Sequence, residues 1–270
     1  MARVIKSALF AAAIAWLAGC NGSPKDTPIW EKVKITDLAT PEINEPVGYP
    51  SPILKTINFD VYTFHLPAEN INALDNILQM LYTKPLWFNN YDAFETNCFA
   101  AGFGQLDIWD KVRDLLVAAG AEKASGTAVM LPDGQANRIF VTRLDKEQSV
   151  FYSRTGDSME AVSIGPGTMT LRLQAEKIAG LRGQCQVSIQ PAYSPLIRAD
   201  ARPEQDVQKY GDYFFDSAGF KLRMSGGDFV LLGPKKLVNN RIILPGLFFT
   251  QPQPKPLIRI FLIICTAINL

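Results

Sequence analysis

Histidine is almost missing from this sequence: His65 is the single one in 270 residues. A histidine-based metal site needs further imidazoles or thiolates around it, and a serine–histidine–aspartate triad would have to be built on His65 itself. No nucleophile-elbow sequence, phosphate-binding loop, dinucleotide glycine fingerprint, calcium loop or H-E-x-x-H stretch accompanies it. Net charge is missing too. The 27 Lys and Arg residues stand against 26 Asp and Glu, so there is no basic excess of the kind a nucleic-acid partner requires. Long apolar runs are also absent. The uncharged stretches Ser7–Gly19 and Ile260–Ile268 both fall short of the roughly 20 residues a membrane helix needs. These gaps together predict a protein that is not an enzyme, with no catalytic residues, no metal and no cofactor. The acids Asp107, Asp110 and Asp114 recur at helical spacing and read as a solvated face.

What is present begins at the N-terminus. Arg3 and Lys6 precede the apolar run, which ends in Leu17-Ala18-Gly19-Cys20. A positive start, an apolar middle and small residues before a processing point form a secretory signal. The closing four residues resemble the lipobox of bacterial lipoproteins. That resemblance implies removal of residues 1–19 as a signal peptide, lipid attachment at Cys20 and a membrane partner through the acyl chains. Two or three such chains anchor stably where one would be marginal. It further implies a cell-envelope location facing the periplasm, with Asn21 in place of an aspartate pointing to the outer membrane. An ordinary signal peptide or an uncleaved anchor also accounts for these residues. Cleavage removes Arg3 and Lys6, leaving 25 basic against 26 acidic residues, a net charge of −1.

Residues 20–56 read as a tether, with prolines at 24, 28, 41, 46, 50 and 52. Such composition favours a semi-rigid extended spacer. Order is predicted from Ile57, where Ile57-Asn58-Phe59-Asp60-Val61 alternates as a strand does. Pro67 suits a first helical turn, Ile71, Leu74, Ile77, Leu78 and Leu81 recur at helical spacing, and Lys84-Pro85 stops the helix. Short apolar pieces follow at Leu86–Phe88 and Phe94–Ala101. A second helix runs from about Gln105 to Ala119, with Gly120 as its C-cap. The expectation is a small two-helix α+β domain over 57–122.

Beyond it, β-branched and aromatic runs alternate with turn signals such as Pro132-Asp133-Gly134, Gly165-Pro166-Gly167 and Ser225-Gly226-Gly227-Asp228. This predicts a mainly antiparallel β domain, sandwich or barrel-like, over 125–270. The whole chain is therefore expected to be α+β. Its terminal apolar strand, Leu257–Ile268, lacks alternation and must be covered on both faces and paired within a sheet or against a partner. With Cys20 lipidated, Cys98, Cys185 and Cys265 remain. They allow at most one disulfide and read as small buried residues.

Three closing segments, Gly227–Gly233, Ile243-Leu244-Pro245-Gly246-Leu247-Phe248 and Arg259–Ile268, resemble in order the end of the secretin family of outer-membrane pores. The element order at 57–120 is similar to the small ring-forming domains of that family. The resemblance implies a secretin-like or secretin-associated lipoprotein that pairs strands within a ring. Without it, the same residues are the final hairpin of a β-sandwich.

The functional expectation is a membrane-anchored envelope lipoprotein with a non-enzymatic assembly, secretion-associated or binding role, its partner an envelope protein or a second copy. One alternative is a periplasmic protein binding a peptide or glycan. Trp87 and Tyr91, in the cluster with Phe88, Phe94, Phe99 and Phe103, are its candidate ligand-binding residues. The cluster also reads as a core shared by helix and strand. A hydrolase is the other alternative, requiring two acids, or a serine and His65, in one cleft.

Overall fold

Alternate residues of β1 (Thr56–Pro67) point to opposite sides, and apolar side chains occupy both: Ile57, Phe59 and Val61 on one, Tyr62, Phe64 and Leu66 on the other. A strand apolar on both faces has to lie between two layers. The structure, a computed structural model, describes residues 55–196 and 211–269. In it β1 pairs antiparallel with β14 (Leu257–Asn269) on one side and β4 (Glu122–Pro132) on the other. Beyond β14 lie β12 (Phe229–Pro234) and then β3 (Phe99–Gly104), so the order is β3-β12-β14-β1-β4. The two-residue β13 (Thr250–Gln251) also pairs with β14.

Two helices, α1 (Ile71–Gln79) and α3 (Leu106–Ala118), cover one face of this sheet. Leu74, Ile77, Val112 and Leu116 pack there against Phe229, Leu231, Ile260 and Leu262. A second antiparallel sheet covers the other face, in the order β2 (Trp87–Phe88), β11 (Phe220–Ser225), β9 (Gln184–Pro195), β8 (Gly167–Lys177) and β5 (Ala136–Leu144), with β10 (Tyr213–Phe214) against β9. Leu171, Leu173, Val187 and Leu222 of that sheet share a core with Phe59, Val230, Phe261 and Ile263. The fold is thus α+β: a small helical part, then a mainly β part whose sheets form a sandwich.

The missing alternation in β14 now has its cause. Ile258, Ile260 and Leu262 face the helices, while Phe261, Ile263 and Cys265 face the second sheet. The strand lies at the centre of its sheet, as its composition requires. One end of the sandwich is closed by α4 (Leu244–Phe249), all six of whose residues are buried. Phe248 and Phe249 stack on Phe99 and Phe261, with ring centroids 4.7 to 6.5 Å apart. Gly246 is required there, because a Cβ would collide with the Asn240 carbonyl.

The signal peptide, Cys20 and the tether up to residue 54 lie outside the described residues. Several other expectations are corrected, and Thr56 already belongs to β1. The division between 57–122 and 125–270 falls inside β4, and both sides of it share one sheet within the compact unit Ile53–Leu270. The first helix stops at Gln79, well before Lys84-Pro85, because Tyr82 leaves it to pair with Phe103. The apolar piece Phe94–Ala101 is not one strand. Its first part belongs to α2 (Tyr91–Thr96), whose N-cap Asn90 accepts the Ala93 N–H at 3.0 Å, and its second part to β3. β6 (Gln148–Ser153) and β7 (Met159–Ile164) form a two-stranded hairpin separate from both larger sheets. Gly120 does end the second helix, at φ +75°. Among the described residues, no helix is long and apolar enough to cross a membrane.

Candidate binding site

The two edges of the central sheet, β3 and β4, are built differently.

At the β3 edge, Asn90 starts α2, and Phe94, nearly fully buried, anchors it between Phe88 and Phe99, with ring centroids 4.7 and 5.6 Å away. The buried Asn97 amide then locks the helix to β6, donating to the Ser153 carbonyl and accepting the Ser153 N–H, both at 2.7 Å. Cys98 follows in the left-handed region, φ 55°, where the chain turns into β3. Tyr82 exchanges two 2.8 Å backbone hydrogen bonds with Phe103 across the outer side of β3. Residues two apart on a strand present their backbone groups the same way, so Ala101 turns its N–H and C=O outward beside this bridge. They open onto a groove of about 450 Å³ between α1, α2 and β3.

Phe88, Phe94 and Phe99 line the groove's apolar part, with Leu78 and Tyr91 beside them. Its polar element is an ion pair, Lys235 Nζ donating to Glu95 Oε1 at 2.7 Å. The hydrogen bond from Lys235 holds Glu95 below its usual range, and the same bond raises Lys235. Burial, with Glu95 alongside, raises the Tyr91 hydroxyl. The groove therefore offers an aromatic floor, backbone groups able to pair with an extended chain, and one charge of each sign.

The two aromatic residues singled out by sequence separate here. Tyr91 is half exposed and lines the groove, its ring 5.2 Å from Phe88. Trp87 is not among the lining residues; its ring lies under the Arg223 guanidinium at 5.2 Å. Adjacent strand residues face opposite ways, so Phe88 occupies the place expected for Trp87. Glu95 and Lys235 were missed, being 140 positions apart in sequence.

At the other edge, β4 pairs with β1 and, among the described residues, with nothing on its outer side. Glu122–Ala128 are all exposed, Val129 and Leu131 enter the sandwich core, and Met130 between them is 62% exposed. From Ala124 to Leu131 the strand carries no charge. Lys123 sits 4.3 Å over the Tyr62 ring, beside a bulge at Thr63/Phe64.

The remaining candidates are dispersed. His65 is half-buried, its Nε2 2.9 Å from Gln251 Nε2, with Arg259 and Glu122 opposite it on the flanking strands. Burial, then the Arg259 charge, lowers its pKa below 6.5, against the opposing pull of Glu122. Arg259 is buried and donates to the Phe248 carbonyl at 2.7 Å; burial and the nearby Arg241 lower it to about 10. Asp107, Asp110 and Asp114 are exposed on α3, where Arg113 pairs with the last two. No three His, Cys, Asp or Glu side chains among the described residues are grouped to hold a metal ion. Cys98, Cys185 and Cys265 are all buried thiols.

No family model and no curated protein matches the chain. Among solved structures, it is similar to the secretin domain β-barrel of InvG from the Salmonella SPI-1 injectisome, at 13% identity and a TM-score of 0.24. The match covers 79% of this chain and 63% of that one, so the chain spans less than two thirds of it. An overlap of that quality does not establish a common fold.

Proposed function

We propose that this chain is a lipid-anchored protein of the bacterial envelope, at the outer membrane, whose role is non-enzymatic assembly through strand pairing at β4. The observation that carries the reading is the uncharged edge Ala124–Leu131, which has no strand on its outer side among the described residues. Open edges of this kind are templates for another strand unless charge or cover blunts them. The lipobox ending at Cys20 supports the location, and the resemblance of the closing segments to secretins is in keeping with a secretion-associated task.

The occupant best suited to the edge is a second copy of the same strand. An antiparallel β4–β4 pairing centred on Thr127 sets Ala124 against Met130 and Ser125 against Val129, and opposes no two charges. Such a contact is self-complementary and closes as a dimer. The test is light scattering of the protein in mild detergent over a concentration series. A dimer is expected for the natural chain and a monomer for Ala128→Lys/Met130→Lys with unchanged circular dichroism. A natural chain that stays monomeric at every concentration would sink the reading.

The β3 groove favours a second role, capture of an extended peptide by a lipid-anchored binder. Its support is the exposed Tyr91 ring beside outward-facing backbone of β3. A fluorescent peptide of alternating leucine and serine serves as the probe. Tyr91→Ala is expected to abolish its binding without lowering the melting temperature, and Trp87→Ala to leave binding intact. Loss of stability in Tyr91→Ala would mean that the ring is core.

A further inference from the structure

Two of the three described cysteines come from opposite sheets and meet inside the sandwich. Cys185 lies on β9 and Cys265 on β14, both without solvent exposure and both in the same core cluster. The sheets converge at this point for a backbone reason. Met224 of β11 is the register partner of Cys185, and the turn that follows it carries the chain across to β12. Within that turn Gly227 donates its N–H to the Cys265 carbonyl at 2.8 Å, and Asp228 accepts the Cys265 N–H at 2.9 Å. Four residues of one turn therefore span from the partner of Cys185 to the partner of Cys265, and the two thiols are neighbours in the same buried cluster. Cys185 Sγ also approaches the Met224 carbonyl at 3.6 Å. Cys98 stands apart from the pair, at the start of β3 beside Lys235, whose N–H its carbonyl accepts at 2.8 Å.

We infer that Cys185 and Cys265 are a disulfide site, a covalent staple between the two sheets. In its formation one Cys185 or Cys265 thiolate attacks an exchangeable disulfide of a small or protein oxidant. The resulting mixed disulfide is then displaced by the second thiol. The pair loses two protons and two electrons, and the oxidant leaves as its two thiols. The neighbouring Cys265 thiol, and then burial, push the Cys185 thiol far above its ordinary value, which disfavours the reactive thiolate once the core has closed. Exchange therefore belongs to the folding chain, and the finished bond is shielded from reductant. The inference does not depend on the proposed assembly role, since it rests on the sandwich interior alone.

The experiment uses the full chain, unfolded and reduced, then refolded in a buffer of reduced and oxidised glutathione. Remaining thiols are blocked with N-ethylmaleimide, and trypsin is added without reductant. Cleavage after Arg182, Arg198 and Arg259 releases peptides 183–198 and 260–270. The expected product is these two peptides joined, two hydrogens lighter than their sum, with maleimide on Cys98. Maleimide on both Cys185 and Cys265 in the refolded protein, or a bond from either one to Cys98, would overturn the inference. A second measurement avoids reliance on peptide recovery. The chain refolded and kept in reductant is expected to melt on the order of 10 °C below the oxidised chain, as for a loop of this length. The Cys185→Ala/Cys265→Ala variant is expected to melt identically with and without reductant. A natural chain as indifferent to reductant as that variant would count against the staple.

Discussion

The two edges of the central sheet solve the same problem in opposite ways. At β3 the exposed backbone is shielded: Tyr82 bridges Phe103, α1 and α2 rise on either side, and what stays open is a short groove floored by phenylalanine. Packing there is tight enough that a Cβ on Gly102 would strike Leu81, and one on Gly104 the Phe229 ring. At β4, among the described residues, no strand pairs with the outer side; the side chains of Ala124–Ala128 are small and neutral, and Met130 is exposed. The first edge is specialised by its side chains and the second by its backbone. Tolerance to substitution should divide along the same line, stability responding at β3 and association at β4.

The largest effect is expected at Phe99. Its truncation to alanine removes a ring packed on Phe94, Phe248 and Phe249, and should cost about 3–5 kcal/mol in denaturant unfolding. Met130→Ser on the bare edge should stay within about 0.5 kcal/mol of the natural chain. Gly104→Ala comes next, at about 1–3 kcal/mol, since the added methyl has no room without moving Phe229. If it proves neutral, the β3 edge is looser than its geometry indicates and the contrast fails.

A pH titration probes the seam where β1 meets both neighbours. His65 lies between Glu122 of β4 and Arg259 of β14, and burial with the arginine sets its folded pKa below the unfolded value of 6.5. The unfolded chain then takes up the proton first. Stability is fully present above about pH 6.5 and declines as pH falls from there towards the depressed folded value. The melting temperature should drop over that window, and His65→Gln should remove this component. Glu122→Gln, which withdraws the one opposing influence, should enlarge it.

A small effect is also expected at the groove's ion pair. Both partners are more than a third exposed, so Lys235→Ala should cost under about 1 kcal/mol. Its pH signature has a definite sign. Glu95 is held below its ordinary range, so the contribution is present above the unfolded carboxylate value and is lost as pH falls through the folded one. A drop of several kcal/mol would show that Lys235 organises the groove and is more than a rim charge.

What could be read from sequence follows from the range of the forces involved. The second long helix was legible because Val112 and Leu116 recur at its own period and Gly120 ends it locally. The two-sided burial of β14 was legible because an unbroken run from Ile260 to Ile264 permits nothing else. By contrast, β4 is invisible in hydropathy. Glu122–Gly126 looks like a linker, and only pairing with β1 makes it a strand. The same non-local pairing turned two expected domains into one. At the groove, Tyr91 could be chosen as an aromatic residue, but Glu95 and Lys235 meet only after β12 has docked on β3. The turn from Cys98 into β3 was hidden because a cysteine stands where the left-handed conformation usually selects glycine.

The pairing of β1 with β14, Thr56 opposite Asn269, has a consequence for timing. A chain synthesised from its N-terminus presents β1, β3, β4 and β12 long before the strand that joins β1 to β12 exists. Neither half of the central sheet has its middle until that last segment arrives, and closing so long a loop is slow. The protein consequently passes through most of its synthesis without a finished core.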